Sequence, residues 1–227
     1  TPDAPSDPPR RIAWTARGPF AFTEEGSGPA LVLLHGLPGS SRDFRWLCAS
    51  LEGRVRAIRL EQPGFGLTPR STGAGTAHAH RVRFVLDAAD ALGLSRFFVL
   101  GHSIGGPLAM GVAARSPARV QGLALLASVG LHVHRAARRV GRIPDWDWAL
   151  SFGPIARLAL PSMRAGFQRV GFPASTPDHE LVQSARIFSR LRFADVREAA
   201  RAVRAPTLLA WAQDDPAVEP AIGLSLG

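Results

Sequence analysis

The stretch Gly101-His102-Ser103-Ile104-Gly105 constrains this chain more than any other. It is a G-x-S-x-G pentapeptide, and the apolar run Phe97-Phe98-Val99-Leu100 leads into it. Residues Gly106 to Ala114 follow with the composition of a helix. Strand, short turn and helix in that order describe a sharp elbow, and that context gives the pentapeptide meaning. The turn has little room for side chains beside the serine, and Gly101, Gly105 and Gly106 supply none. The elbow lifts the Ser103 hydroxyl clear of the sheet. It then sits at a helix N-terminus, where partial positive charge favours a developing anion.

The rest of the chain alternates in the same way. Residues 12–25 read as two strands, with Gly18-Pro19 between them. Ala30 to Leu34 is a continuous apolar run, as expected of a parallel strand buried on both faces. Ser41 to Leu51 reads as a helix and Arg54 to Leu60 as a strand, broken by Pro63-Gly64-Phe65-Gly66. Val82, Val85, Leu86, Ala89 and Leu92 share one helical face, and Gly93 closes that helix. Phe97–Leu100, Gly122–Ala127 and Thr207–Ala212 are three more buried strands. Strands alternating with helices imply right-handed crossovers and a mostly parallel sheet. Residues 131–204 interrupt the alternation with helical patterns and five prolines, and predict a helical insertion between two strands. Residues 1–10 are polar and Pro-rich and predict a disordered lead-in.

Composition excludes several functions. The formal charge of +9 invites a nucleic-acid partner, but all 27 basic residues are Arg. Lys, Asn and Tyr are absent, a pattern of base composition rather than of binding. The arginines are dispersed, with one local cluster at Arg135, Arg138, Arg139 and Arg142, so no nucleic-acid partner is expected. No apolar run reaches the ~18 residues of a membrane span, so no stable membrane insertion is expected. Cys48 is the single cysteine, in a setting that predicts a buried helix face. It fits a reducing compartment, which makes a cytoplasmic, bacterial location the expectation. His78-x-His80 and His132-x-His134 lack the further ligands a metal site needs, and neither a metal nor a cofactor is expected.

With these elements in place the chain resembles the α/β-hydrolase superfamily, in its lid-bearing serine esterase and lipase-like branch. The resemblance runs from about Ile12 to Pro220 and rests on four motifs. His35-Gly36-Leu37-Pro38-Gly39 after a buried strand is similar to the family's oxyanion loop. Pro63 to Thr68 is similar to the loop after the next strand. The elbow around Ser103 is the third, and Pro206 to Asp215 is similar to the strand that ends in the acid of the triad. Two positions depart from the pattern: Ala212 stands where Gly is usual, and Glu61 where Asp is usual.

The resemblance implies an α/β-hydrolase fold. Residues 11–130 and 205–227 would form its core, and 131–204 a lid. It implies Ser103 as nucleophile and Asp215 as the acid, with Asp214 as the alternative. The backbone N–H groups of Leu37 and Ile104 would be the oxyanion donors, and His35 and Gly36 would support their loop. An oxyanion donor of this kind contributes ~3–4 kcal/mol, and the acid holds the base imidazole in the right tautomer. Ser103 and Asp215 should then lie on one edge of the sheet.

The base is harder to place. In the family order the His comes last. Typical element lengths put it roughly 20–30 residues beyond Asp215. No His follows Asp215, and the sequence runs to residue 227. The expectation is therefore a chain truncated at its C-terminal end and inactive for lack of that His. A lid histidine, His179 first, or a scaffold without catalysis are the alternatives. Trp146, Trp148 and Phe152 are candidates for an apolar acyl pocket under the lid, or only dock it. The expected substrate is a small, apolar, ester-like molecule. Relatives that cleave epoxides or carbon–halogen bonds carry an Asp nucleophile, and Ser103 argues against them. Carbon–carbon bond hydrolases and cofactor-free haloperoxidase-like members use Ser and stay open.

Overall fold

The computed structural model describes residues 4–70, 75–132, 135 and 147–226. Seven strands form one sheet: β1 (Arg11–Thr15), β2 (Gly18–Gly26), β3 (Ala30–Leu34), β4 (Arg56–Leu60), β5 (Phe97–His102), β6 (Val120–Leu126) and β7 (Thr207–Ala210). Their order is β1-β2-β4-β3-β5-β6-β7. The hairpin β1-β2 and the pair β2-β4 are antiparallel, and every other pairing is parallel. Short helices connect the parallel strands. After a 3-10 turn (Ser41–Phe44) come α1 (Arg45–Ser50), α2 (His78–Ala91) and α3 (Gly105–Arg115).

Alternation along β3 divides the core. Val32 and Leu34 join the large cluster with Val82, Val85, Leu108 and Val112 from α2 and α3. Leu31 and Leu33 face the other way, onto Phe44 and Cys48. A strand covered on both faces must be apolar at every position, which is why 30–34 carries no polar residue. Cys48 is buried, and that burial pushes its thiol up to about 11.

Between β6 and β7 the chain is helical: α4 (Asp147–Ser151), α5 (Gly153–Gln168), α6 (Asp178–Ser189) and α7 (Phe193–Ala202). A last short helix, α8 (Pro220–Leu224), follows β7. The layer has its own core of Leu150, Phe167, Phe172, Leu181 and Ala185, in which the Phe167 and Phe172 rings stack at 4.4 Å. Among the described residues no helix is long and apolar enough to cross a membrane.

The lead-in differs from expectation. Of residues 1–10, those from Ala4 onward are described, and they are tied to the sheet. Arg59, 1% exposed on β4, needs counter-charge, and Asp7 lies 3.1 Å from it, with Glu25 as a second partner. Asp7 also pairs with Arg42 at 2.8 Å. A buried guanidinium without partners is costly, and that cost fixes a segment whose composition alone reads as disordered.

Candidate active site

The elbow follows from close packing. Ser103 has φ +53°, a conformation rare for a residue with a side chain. It is held from three sides: Ser103 N–H donates to Leu126 O at 3.0 Å, and Ser103 O accepts from Gly106 and Val129 at 3.0 Å each. A Cβ at Gly101 would sit 2.3 Å from Gly105 O, and one at Gly105 would sit 2.2 Å from Leu34 O. Both contacts are with backbone, which cannot swing away. The strain at Ser103 is therefore set by the strand–helix crossing, and strain of this kind clusters at functional sites.

The His35–Gly39 loop lies against the serine. A Cβ at Gly36 would meet Ser103 Cβ at 3.0 Å and His102 Nδ1 at 3.1 Å. His35 anchors this loop. Its ring is fully buried, meets Phe65 edge-on at 5.3 Å, and accepts at Nε2 from the Gln62 N–H at 3.1 Å. Nε2 is thus the unprotonated nitrogen, and Nδ1–H donates to Gly36 O at 2.8 Å. Gln62 Nε2 donates back to His35 O at 2.7 Å, and Arg81 donates to Gln62 Oε1. Burial lowers the His35 pKa to about 4, so the ring is neutral at pH 7. The backbone N–H groups of Leu37 and Ile104 have no hydrogen-bond acceptor among the described residues. Two free donors beside a hydroxyl are the chemical requirement of an oxyanion hole.

Glu61, just after β4, is fully buried and ties three segments together. It accepts from Arg10 Nε at 2.8 Å, Ser41 Oγ at 3.1 Å and the Leu67 N–H at 2.7 Å. The 63–68 loop folds over it so tightly that a Cβ at Gly66 would lie 2.1 Å from Glu61 Oε2.

Asp215 follows β7, on the same sheet edge as Ser103 after β5, with β6 between them. Two strand spacings separate β5 from β7 by about 10 Å, enough for one side chain between their ends. Asp215 is half-buried, and its Oδ1 accepts from Ala217 N–H at 2.9 Å and Val218 N–H at 2.8 Å. Asp214 is exposed.

The charge of Asp215 reaches His102. Burial lowers the pKa of that imidazole, and Asp215 acts in the opposite sense. Read from sequence alone, His102 packs or supports the loop beside the serine. Its proximity to the acid is a product of the β5–β6–β7 order, and no local pattern signals it. His179 is exposed in the first turn of α6, and His132 is exposed after β6. His134 and Trp146 lie outside the described residues. Trp148 and Phe152, expected as pocket lining, are instead 70% and 59% exposed. The α4–α5 corner turns Leu150, Ala156 and Phe167 inward, which leaves positions 148 and 152 outside. The apolar cluster around the elbow is made by Phe65, Ile104, Val129 and Ile187, with Leu37 and Phe188 against it. Its residues are scattered along the chain, so periodicity does not reveal it. Among the described residues no group of His, Cys, Asp and Glu is arranged to hold a metal ion.

A family model described as the alpha/beta hydrolase fold matches residues 29–139. The candidate carbamate hydrolase RutD of Variovorax paradoxus is 32% identical over 205 residues, 84% of this chain and 76% of that protein. Haloalkane dehalogenase 2 of Mycobacterium tuberculosis is 35% identical over 127 residues, 55% of this chain. The chain spans only 44% of the length of that dehalogenase. Among solved structures, an alpha/beta hydrolase fold protein from Burkholderia ambifaria superposes with a TM-score of 0.75 at 20% identity, covering 99% of this chain and 87% of its own. A hydrolase from Pseudomonas aeruginosa gives 0.74 at 21% identity, covering 96% and 85%. With the sheet order, the elbow and these likenesses together, the chain belongs to the α/β-hydrolase fold superfamily.

Proposed function

We propose that Ser103 is the nucleophile of a serine hydrolase that cleaves a carboxylic ester, or a related acyl bond, of a small apolar substrate. The observation that carries this reading is the strained Ser103 at the end of β5, beside two N–H groups with no acceptor. Ser103 Oγ attacks the acyl carbonyl, and its proton passes to an imidazole. The Leu37 and Ile104 N–H groups hold the oxyanion. Asp215 stabilises the charged imidazole through Oδ2, because Oδ1 is already taken by Ala217 and Val218. In the family order the imidazole comes from a histidine later in sequence than Asp215. His35 is excluded as base, since both its ring nitrogens are engaged inside the core. The helical layer over the elbow serves as the lid. It shapes the acyl side through Ile187 and Phe188, which meet Leu37 of the oxyanion loop in one cluster.

The dehalogenase and the carbamate hydrolase among the relatives mark the range of reactions. Carbon–halogen displacement proceeds through a carboxylate nucleophile, and this chain offers a hydroxyl at that place. A carbamate, like an ester, presents an acyl carbon and fits the site as built.

The test is hydrolysis of p-nitrophenyl esters of short and medium acids. It is run on this chain and on the chain lengthened along its genomic continuation. Ser103→Ala should cut kcat/KM by roughly 10³-fold or more, and Asp215→Asn by about as much, with the fold intact by circular dichroism. Undiminished turnover by Ser103→Ala sinks the proposal. Activity confined to the lengthened chain identifies a later histidine as base. Equal activity in the two assigns the base to a histidine of this chain, with His102 and His179 the first to replace.

A further inference from the structure

One cavity does not have the serine in its lining. It has a volume of about 540 Å³ and opens between the 64–70 loop and the helices α4, α5 and α6. Neither Ser103, Ile104, Leu37 nor Asp215 lines it. Its size is that of a small-molecule site.

Its lining is divided by chemistry. Part of it is apolar: Leu67, Leu150, Leu160 and Val182. The same lining carries Arg157, His179 and Arg70. Asp178 is the one acid in the lining, and Arg164 holds its carboxylate. Among the described residues no hydrogen bond or ion pair engages Arg157. The lining therefore combines a guanidinium that no described residue pairs with and a set of apolar side chains. A guanidinium matches a carboxylate bidentately. An apolar wall gains from burying an alkyl chain at ~0.8 kcal/mol per CH₂. Leu67, within that lining, is 55% exposed.

We infer that this cavity binds an amphipathic monoanion, an alkyl chain ending in a carboxylate, with the head on Arg157 and His179 and the chain against Leu150, Leu160 and Val182. The site does not rest on the hydrolase reading. It is tested in a protein whose serine is removed, so binding stands or falls apart from catalysis.

Titration calorimetry of the Ser103→Ala chain with decanoate, against decanol as the neutral isostere, reads the site directly. Decanoate is expected to bind with one-to-one stoichiometry and at least 10-fold more tightly than decanol. Arg157→Gln should reduce decanoate affinity 10-fold or more while leaving decanol unchanged, and Arg157→Lys should restore part of the loss. Arg157 is exposed, so these variants do not threaten the fold. Arg96→Gln, at an exposed arginine away from the cavity, controls for the +9 charge of the chain. An equal loss in Arg96→Gln means diffuse charge attraction and overturns the proposal. Equal affinity for decanoate and decanol, or no effect of Arg157→Gln, overturns it as well.

Discussion

At the scale of single residues, burial keeps several histidines neutral. His35 and His78 are both lowered to about 4 from the ordinary 6.5, chiefly by desolvation, and His102 shifts in the same direction. Between those values the unfolded chain binds protons that the folded chain refuses. Stability therefore falls as pH drops from 6.5 toward 4, by up to ~1.4 kcal/mol per pH unit for each such group. Asp43 works the other way. Desolvation of its carboxyl raises it to about 6, so its protonation favours the folded state as pH falls through that value, and offsets one histidine. His78 separates these terms, because its Nε2 is buried without a partner near Gly111. His78→Leu should leave stability at pH 7 within about 1 kcal/mol of the parent, since an unpaired polar atom is replaced by an apolar one. It should also flatten the loss between pH 6.5 and 4. Urea unfolding at pH 7, 6 and 5 measures both, and an unchanged slope removes His78 from the account.

At the scale of elements, glycines decide where helices and strands touch. Gly105 opens α3 with its Cα hydrogens against Leu34 O and His35 O. Gly105→Ala forces a methyl to 2.2 Å from a strand carbonyl, and should cost at least ~3 kcal/mol or block folding. Gly166 inside α5 has open space around its missing Cβ. Gly166→Ala should gain ~0.5–1 kcal/mol, since only backbone entropy is at stake. Thermal unfolding of the pair compares them, and similar shifts in both would show that the elbow packs more loosely than described. β7 is a further case. Among the described residues it pairs only with β6, and Leu208 on it is 63% exposed. An uncovered apolar edge strand invites pairing with another chain. Leu208→Lys should lower self-association in light scattering and change stability by no more than ~0.5 kcal/mol. Undiminished association would place the sticky surface elsewhere.

At the scale of the whole molecule, the sequence by itself determined the elements and the elbow. Continuous apolar runs fix β3 and β5 as strands buried on both faces. The glycines around Ser103 fix the turn, and Gly93, at φ +67°, closes α2 as its position predicts. These are local effects, legible because each arises from the few residues that show it. Tertiary structure decided the rest. It folded Asp215 back onto the Ala217 and Val218 N–H groups, with its charge felt at His102, and left Asp214 in solvent. It turned Trp148 and Phe152 outward, since the α4–α5 corner buries a different face. It pinned the Pro-rich lead-in to a buried Arg59, and it made a cavity from a loop and three helices far apart in sequence. In each of these the partner lies many residues away. The spacing of residues along a chain records which face an element buries. It carries no record of which distant segment will be there to meet it.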